Sequence, residues 1–150
     1  MPTLLQRLSS ALAEVLTVVE EPDGALTVSQ PGIVASLRVV EIAEGLEMVS
    51  LTQPLAWDLP LNAKVREKVA QQASKTLLGT VALVEKLEKG EVTPANGASA
   101  KSSTRKSAVK KSGDVLLRYN FPGAGLSDDA LRTLILMVLA AGADVRAALA

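Results

Sequence analysis

Apolar residues recur at helical spacing from the start of the chain. Leu5, Leu8, Leu12, Val15, Leu16 and Val19 share one face of a helix predicted from about Leu4 to Val19. Thr3 and Gln6 have the spacing of a capping box, which satisfies two backbone donors at the helix start. Pro22-Asp23-Gly24 ends the segment with turn chemistry. The period then changes from helical to alternating. Leu26 and Val28 alternate with Thr27 and Ser29 in a strand over Ala25–Gln30, and Pro31-Gly32 turns the chain. A second strand runs from about Ile33 to Glu41, with Ile33, Ala35, Leu37 and Val39 on one face and Ser36 and Arg38 on the other. Ala43-Glu44-Gly45 links it to a third strand, with Gly45 taking a positive φ. That third strand covers Leu46–Leu51 and extends toward Trp57, and Pro54 marks an edge or the end of pairing.

A second helix starts after Asn62, a good N-cap, and carries Leu61, Val65, Val69, Ala73 and Leu77 as a thin apolar stripe closed by Gly79. Val81, Leu83 and Leu87 favour a strand over Thr80–Leu87 against a prolonged helix. Asp114–Phe121 alternates clearly, with Val115, Leu117, Tyr119 and Phe121 on one side and Leu116, Arg118 and Asn120 on the other. Between these two strands, residues 88–113 are rich in Lys, Ser, Ala, Thr and Gly. With so little apolar surface to bury, the segment is expected to be a disordered loop. The last helix has Ser127 as its N-cap, Asp128 and Asp129 at its positive end, and a Leu126 to Leu131 staple. Leu134–Ala141 is apolar on every side, which predicts a wholly buried helix or one that pairs with a second subunit.

The predicted order is α-βββ-α-ββ-α. It implies an α+β domain over residues 1–150, with a single antiparallel sheet flanked by helices. Composition then narrows the chemistry. The 150 residues contain no Cys and no His, so disulfides, thiolate chemistry and the commonest general base and metal ligand are absent. One Trp, one Tyr and one Phe leave the core to aliphatic residues. Sixteen basic and sixteen acidic residues cancel, so net charge favours neither nucleic acid nor an anionic membrane. The first apolar stretch is broken by Gln6, Arg7, Ser9, Ser10 and Glu14, unlike a signal peptide, and no segment reaches the roughly 20 apolar residues of a membrane span. A cytoplasmic, non-enzymatic protein without cofactors is the expectation.

The stretch Asp114-Val-Leu-Leu-Arg-Tyr-Asn-Phe-Pro122, followed by Gly-Leu-Ser-Asp-Asp-Ala-Leu from Gly125 and an apolar helix, resembles the YbjN family. That family has the fold of type III secretion chaperones. The resemblance implies a dimeric, non-catalytic protein that binds another polypeptide, and it transfers no catalytic residue. The long link before Asp114 departs from the family's short one.

Candidate partner-binding residues are Trp57, beside Asp58-Leu59-Pro60, and Leu136, Met137, Val138 and Leu139, through which a homodimer is expected to form. The other reading of Trp57 is a cap on the core's edge. A second class of function uses Lys101, Arg105, Lys106, Lys110 and Lys111 as an electrostatic tether to phosphates. No aromatic residue interleaves these charges for base stacking, and a solvated loop accounts for them more simply. Glu41, Glu44 and Glu47 surround a hairpin turn, as Glu20, Glu21 and Asp23 surround another. Their oxygens suit a hard cation, but the spacing matches no calcium loop and solvated turns explain both.

Overall fold

The computed structural model describes residues 2–87 and 111–150. Helix α1 spans Leu4–Ala13, with the reciprocal Thr3–Gln6 capping box in place. It stops well short of Val19. Glu14 caps it, and Thr17–Glu20 is strand β1. The sequence Thr17-Val18-Val19 is β-branched throughout, and such side chains suit a pleated surface better than a helix. Strands β2 (Leu26–Gln30), β3 (Ile33–Ala43) and β4 (Leu46–Pro60) follow as a meander, with Gly45 turning the β3–β4 hairpin at φ +79°. Helix α2 (Ala63–Lys75) begins where the Asn62 carboxamide accepts from the Val65 N–H at 2.8 Å. Strands β5 (Thr80–Leu87) and β6 (Lys111–Pro122) and helix α3 (Asp128–Leu149) complete the order. Residues 88–110 lie outside the described residues. Lys111, Ser112 and Gly113, expected in a loop, instead begin β6, because all three pair with β5 and Ser112 and Gly113 pair with β4 as well.

The six strands form one antiparallel sheet in the order β1-β2-β3-β4-β6-β5. The architecture is thus α+β, one strand richer than the sequence pattern predicts. Strand β4 is longer than expected and central. Its pairing with β3 stops at Ser36–Thr52, two residues before Pro54, while pairing with β6 continues to Pro60. Pro54 does end pairing, but only on one side. Helix α2 ends at Lys75, so Gly79, at φ +91°, serves the entry into β5 and does not close the helix. Leu77 drops out of the apolar stripe and lies exposed.

All three helices lie on one face of the sheet. That face carries Leu26, Val28, Ala35, Leu37, Val49, Leu51, Val115 and Leu117, all nearly inaccessible to solvent. Leu8 and Leu12 of α1 and Leu131, Ile135, Val138 and Leu139 of α3 complete the core. Burying each such side chain contributes about 1.5–3 kcal/mol. Two arginines bind α1 to α3. Arg7 reaches Asp128 at 2.9 Å and the carbonyls of Ala124 and Leu126, while Arg132 reaches the Ala11 carbonyl at 3.0 Å and Glu14 at 3.3 Å. Helix α3 is not buried all round. Thr133, Met137, Ala140, Asp144 and Ala147 form an exposed stripe, because the sheet and the two other helices cover only its inner sides.

Two polar residues are buried among the described residues, Ser112 on β6 and Gln53, which sits inside this core. Gln53, 2 % exposed on β4, faces α3; its Nε2 makes a long 3.4 Å bond to the Leu139 carbonyl, and its Oε1 has no partner among the described residues. Gly142 lies directly over it, and a Cβ there would collide with the Gln53 amide. The Gly142→Ala variant should therefore lose roughly 1–3 kcal/mol to overpacking, more than the about 1 kcal/mol of helix propensity it gains. In a Gln53→Ala background the same change should be neutral or stabilising. A urea-unfolding double-mutant cycle measures this, and additive losses would contradict the contact.

Candidate protein-binding surface

Among the described residues, the other face of the sheet carries no helix. Strand alternation sends every second side chain there, and register aligns them in rows. Thr27, Ser36, Thr52, Arg118 and Thr80 are consecutive cross-strand partners on β2, β3, β4, β6 and β5. Arg38, Ser50 and Asn120 form the next row, and Val40, Met48 and Pro122 the one beyond. In the other direction lie Pro54, Leu116 and Ala82. The result is a belt of hydroxyls and amides with an apolar margin at each end. Charge on the belt is sparse. Arg38 pairs with Asp23 at 2.6 Å, and this hydrogen bond holds the Asp23 carboxyl below its ordinary range. Arg118 has no carboxylate partner among the described residues. Beside Arg38 lies a shallow recess of about 450 Å³ lined by Glu21, Asp23, Thr27 and Ser36. The Thr27 hydroxyl donates to Glu21 at 2.7 Å within it.

The β3–β4 hairpin projects beyond its neighbours. Pairing of β2 with β3 ends at Leu37, and pairing of β6 with β4 ends at Met48. Val40, Ile42 and Leu46 on this arm are 43 %, 63 % and 43 % exposed. Glu41 stands directly opposite Glu47 across the ladder, and a register shift follows at Ile42.

Trp57 and Asp58 occupy an irregularity in β4, between the Ala56–Val115 and Leu59–Gly113 pairs. Asp58 has a positive φ of 54°, alone in this among the described non-glycine residues. Its N–H donates to Asp114 Oδ1 at 3.0 Å, and Lys86 Nζ lies 2.6 Å from Asp58 and 2.9 Å from Asp114. The hydrogen bonds to Asp58 and Asp114 raise Lys86 above its ordinary pKa. Burial pushes Asp114 up, but the Asp58 N–H and the Lys86 ammonium outweigh it and leave the carboxyl lowered. This ionic cluster fixes the bend that leaves Trp57 60 % exposed.

Trp57 is thus a projecting side chain and not a cap on the core. Val138 and Leu139 are 0 % exposed, so they belong to the core and offer a partner nothing. Leu136 is half-buried, and Met137 is 51 % exposed. Of the basic residues singled out as phosphate contacts, Lys111 is exposed at the start of β6; Lys101, Arg105, Lys106 and Lys110 lie outside the described residues. Among the described residues, no group of three acidic side chains is arranged to hold a metal ion, including Glu41, Glu44 and Glu47. No helix among the described residues is long and apolar enough to cross a membrane. The sequence pattern missed the open face and the projecting arm. Val34, Val40 and Ile42 gave the available signal, as apolar residues on the side of β3 assigned to Ser36 and Arg38.

No protein-family model matches the chain, and no curated protein or solved structure matches it either.

The ion cluster carries a pH signature. Asp114 is lowered, so its contribution is present above the ordinary carboxylate pKa and is lost as acid protonates it. Lys86 is raised, so its contribution is present below the ordinary lysine pKa and is lost in alkali above it. Lys86→Met should destabilise the fold at pH 7 and should do so much less at a second pH, acid enough to protonate Asp114. Urea unfolding at the two pH values decides this; an equal loss at both would show that Lys86 acts through packing alone.

Proposed function

We propose that this chain is a non-catalytic protein-binding module that receives a polypeptide partner on its uncovered sheet face. The single observation that carries this reading is the one-sided helical cover. A six-stranded sheet presents an aligned Ser, Thr, Asn and Arg belt with apolar margins, and no described element packs on it. Such a surface can satisfy the main chain of a partner by hydrogen bonds and bury apolar side chains at its ends. The lack of His and Cys in the sequence supports a binding role over an enzymatic one. The resemblance of Asp114–Leu131 to the YbjN family, with its secretion-chaperone fold, points the same way.

The partner surface is the sheet and not α3. With Val138 and Leu139 in the core, α3 offers Leu136 and Met137 to a second copy, while a stable interface needs about 800 Å² from each partner. Homodimerisation through α3 is therefore not part of this reading.

A photo-crosslinking residue at Ser50, in the centre of the open face, should capture polypeptide from cell extract, and the adducts should survive nuclease. The same residue at Ala140, on the outward stripe of α3, should capture none. In the Ser50 experiment, adding Arg118→Glu should lower recovery about tenfold, equivalent to about 1.4 kcal/mol. Adducts at Ala140 alone, or adducts lost with nuclease, would overturn the reading.

A further inference from the structure

Three stretches of sheet edge differ in what they offer an added strand. Strand β1 is only four residues long, which blunts it as a template. Strand β5 carries Glu85 and Lys86 near its end, both already engaged in ion pairs with Arg66, Asp58 and Asp114. The third edge is internal. Past Leu37, β3 loses β2 and, among the described residues, pairs only with β4, so Arg38–Ala43 presents alternate backbone N–H and C=O groups on a side that no described strand pairs. Val40 and Ile42 on this edge are exposed, an arrangement that proteins ordinarily avoid because it invites another strand.

The same edge carries an electrostatic cost. Glu41 and Glu47 face each other directly in the ladder, a like-charge pairing that destabilises a sheet. Glu44 adds a third carboxylate at the turn, and the described residues place no cation against any of the three. Val40 points to the open face and Glu41 to the opposite one. A strand laid along β3 would therefore meet an apolar position on one side and carboxylates on the other.

On the strength of the protein-binding reading above, we infer that the free edge of β3, Arg38–Ala43, accepts an extended partner segment that alternates basic and apolar residues, by strand addition. The main chain supplies the hydrogen bonds, the apolar side chains cover Val40 and Ile42, and the basic side chains neutralise Glu41 and Glu47. A second copy of this chain is the wrong occupant, because two-fold pairing of these edges would bring two sets of the same carboxylates together. The register shift at Ile42 limits the added ladder to the stretch before it, with Ile42 as its end contact.

The test uses the full chain and a short synthetic peptide alternating lysine with valine, beside a twin with glutamate in place of lysine. The lysine peptide should bind by fluorescence anisotropy, weaken with salt, and slow amide hydrogen exchange within Arg38–Ala43. The Glu41→Lys/Glu47→Lys variant, altered only on the surface, should lose about tenfold in affinity for the lysine peptide and gain affinity for the glutamate one. Lysine-peptide binding that protects the central belt around Ser50 instead would overturn strand addition and leave the broader reading standing. A concentration-dependent dimer that protects the same amides without peptide would overturn the choice of partner. No binding of the lysine peptide, together with no polypeptide captured at Ser50, would overturn both readings.

Discussion

The fold depends on how closely α3 approaches β4. Gly142 lacks the Cβ that would strike Gln53, so the helix settles against the centre of the sheet and buries Ile135, Val138, Leu139 and Val145 there. Both partners are unusual for their places. A glycine inside a helix costs about 1 kcal/mol relative to alanine, and a buried amide oxygen without a partner costs about 1–3 kcal/mol. The contact is kept because the helix placement it allows closes the core. From that placement follow the Arg7 and Arg132 bonds that bring α1 alongside α3 on the same face of the sheet.

One-sided cover divides the molecule into a part that holds itself together and a part that is left available. The helical side consumes nearly all the large aliphatic residues. The open side keeps hydroxyls, one arginine without a carboxylate partner among the described residues, and a hairpin arm that no described strand flanks to its tip. The local conflicts collect away from the core, at the opposed Glu41 and Glu47, at exposed Ile42 and Trp57, and at Asp58 with its positive φ. Departures from local optimality of this kind are expected where a surface serves something other than stability.

Much of the fold was legible in the sequence because it rests on local chemistry. The Thr3–Gln6 box, the Asn62 and Ser127 caps, the alternation of Leu37 and Val39, and the strand over Thr80–Leu87 all follow from neighbours within a few residues. What failed to show depended on long-range pairing. Thr17–Glu20 continued the helical spacing of Leu12 and Leu16, and pairing with β2 lets its β-branched residues prevail as a strand. Pro54 looked like a terminator, because nothing local reveals that β3 ends beside it while β6 continues. Leu134–Ala141 looked buried on every side, although in space its outward stripe is merely small and apolar. The candidate surface was harder still. That Glu41 faces Glu47, that Thr27, Ser36, Thr52 and Arg118 form one row, and that Val138 and Leu139 are consumed by the core are facts of register and packing. The Gln53–Gly142 contact joins residues from distant parts of the chain and leaves no trace in either segment.

The most direct measurement is hydroxyl-radical footprinting of the full chain, alone and at a concentration where it is monomeric. The account predicts rapid modification of Val40, Ile42, Leu46 and Arg118, with Leu37, Leu51 and Leu117 protected, since these two sets lie on opposite faces of the same strands. Protection of the first set in the free chain would contradict it, because the face assigned to a partner would then be covered already.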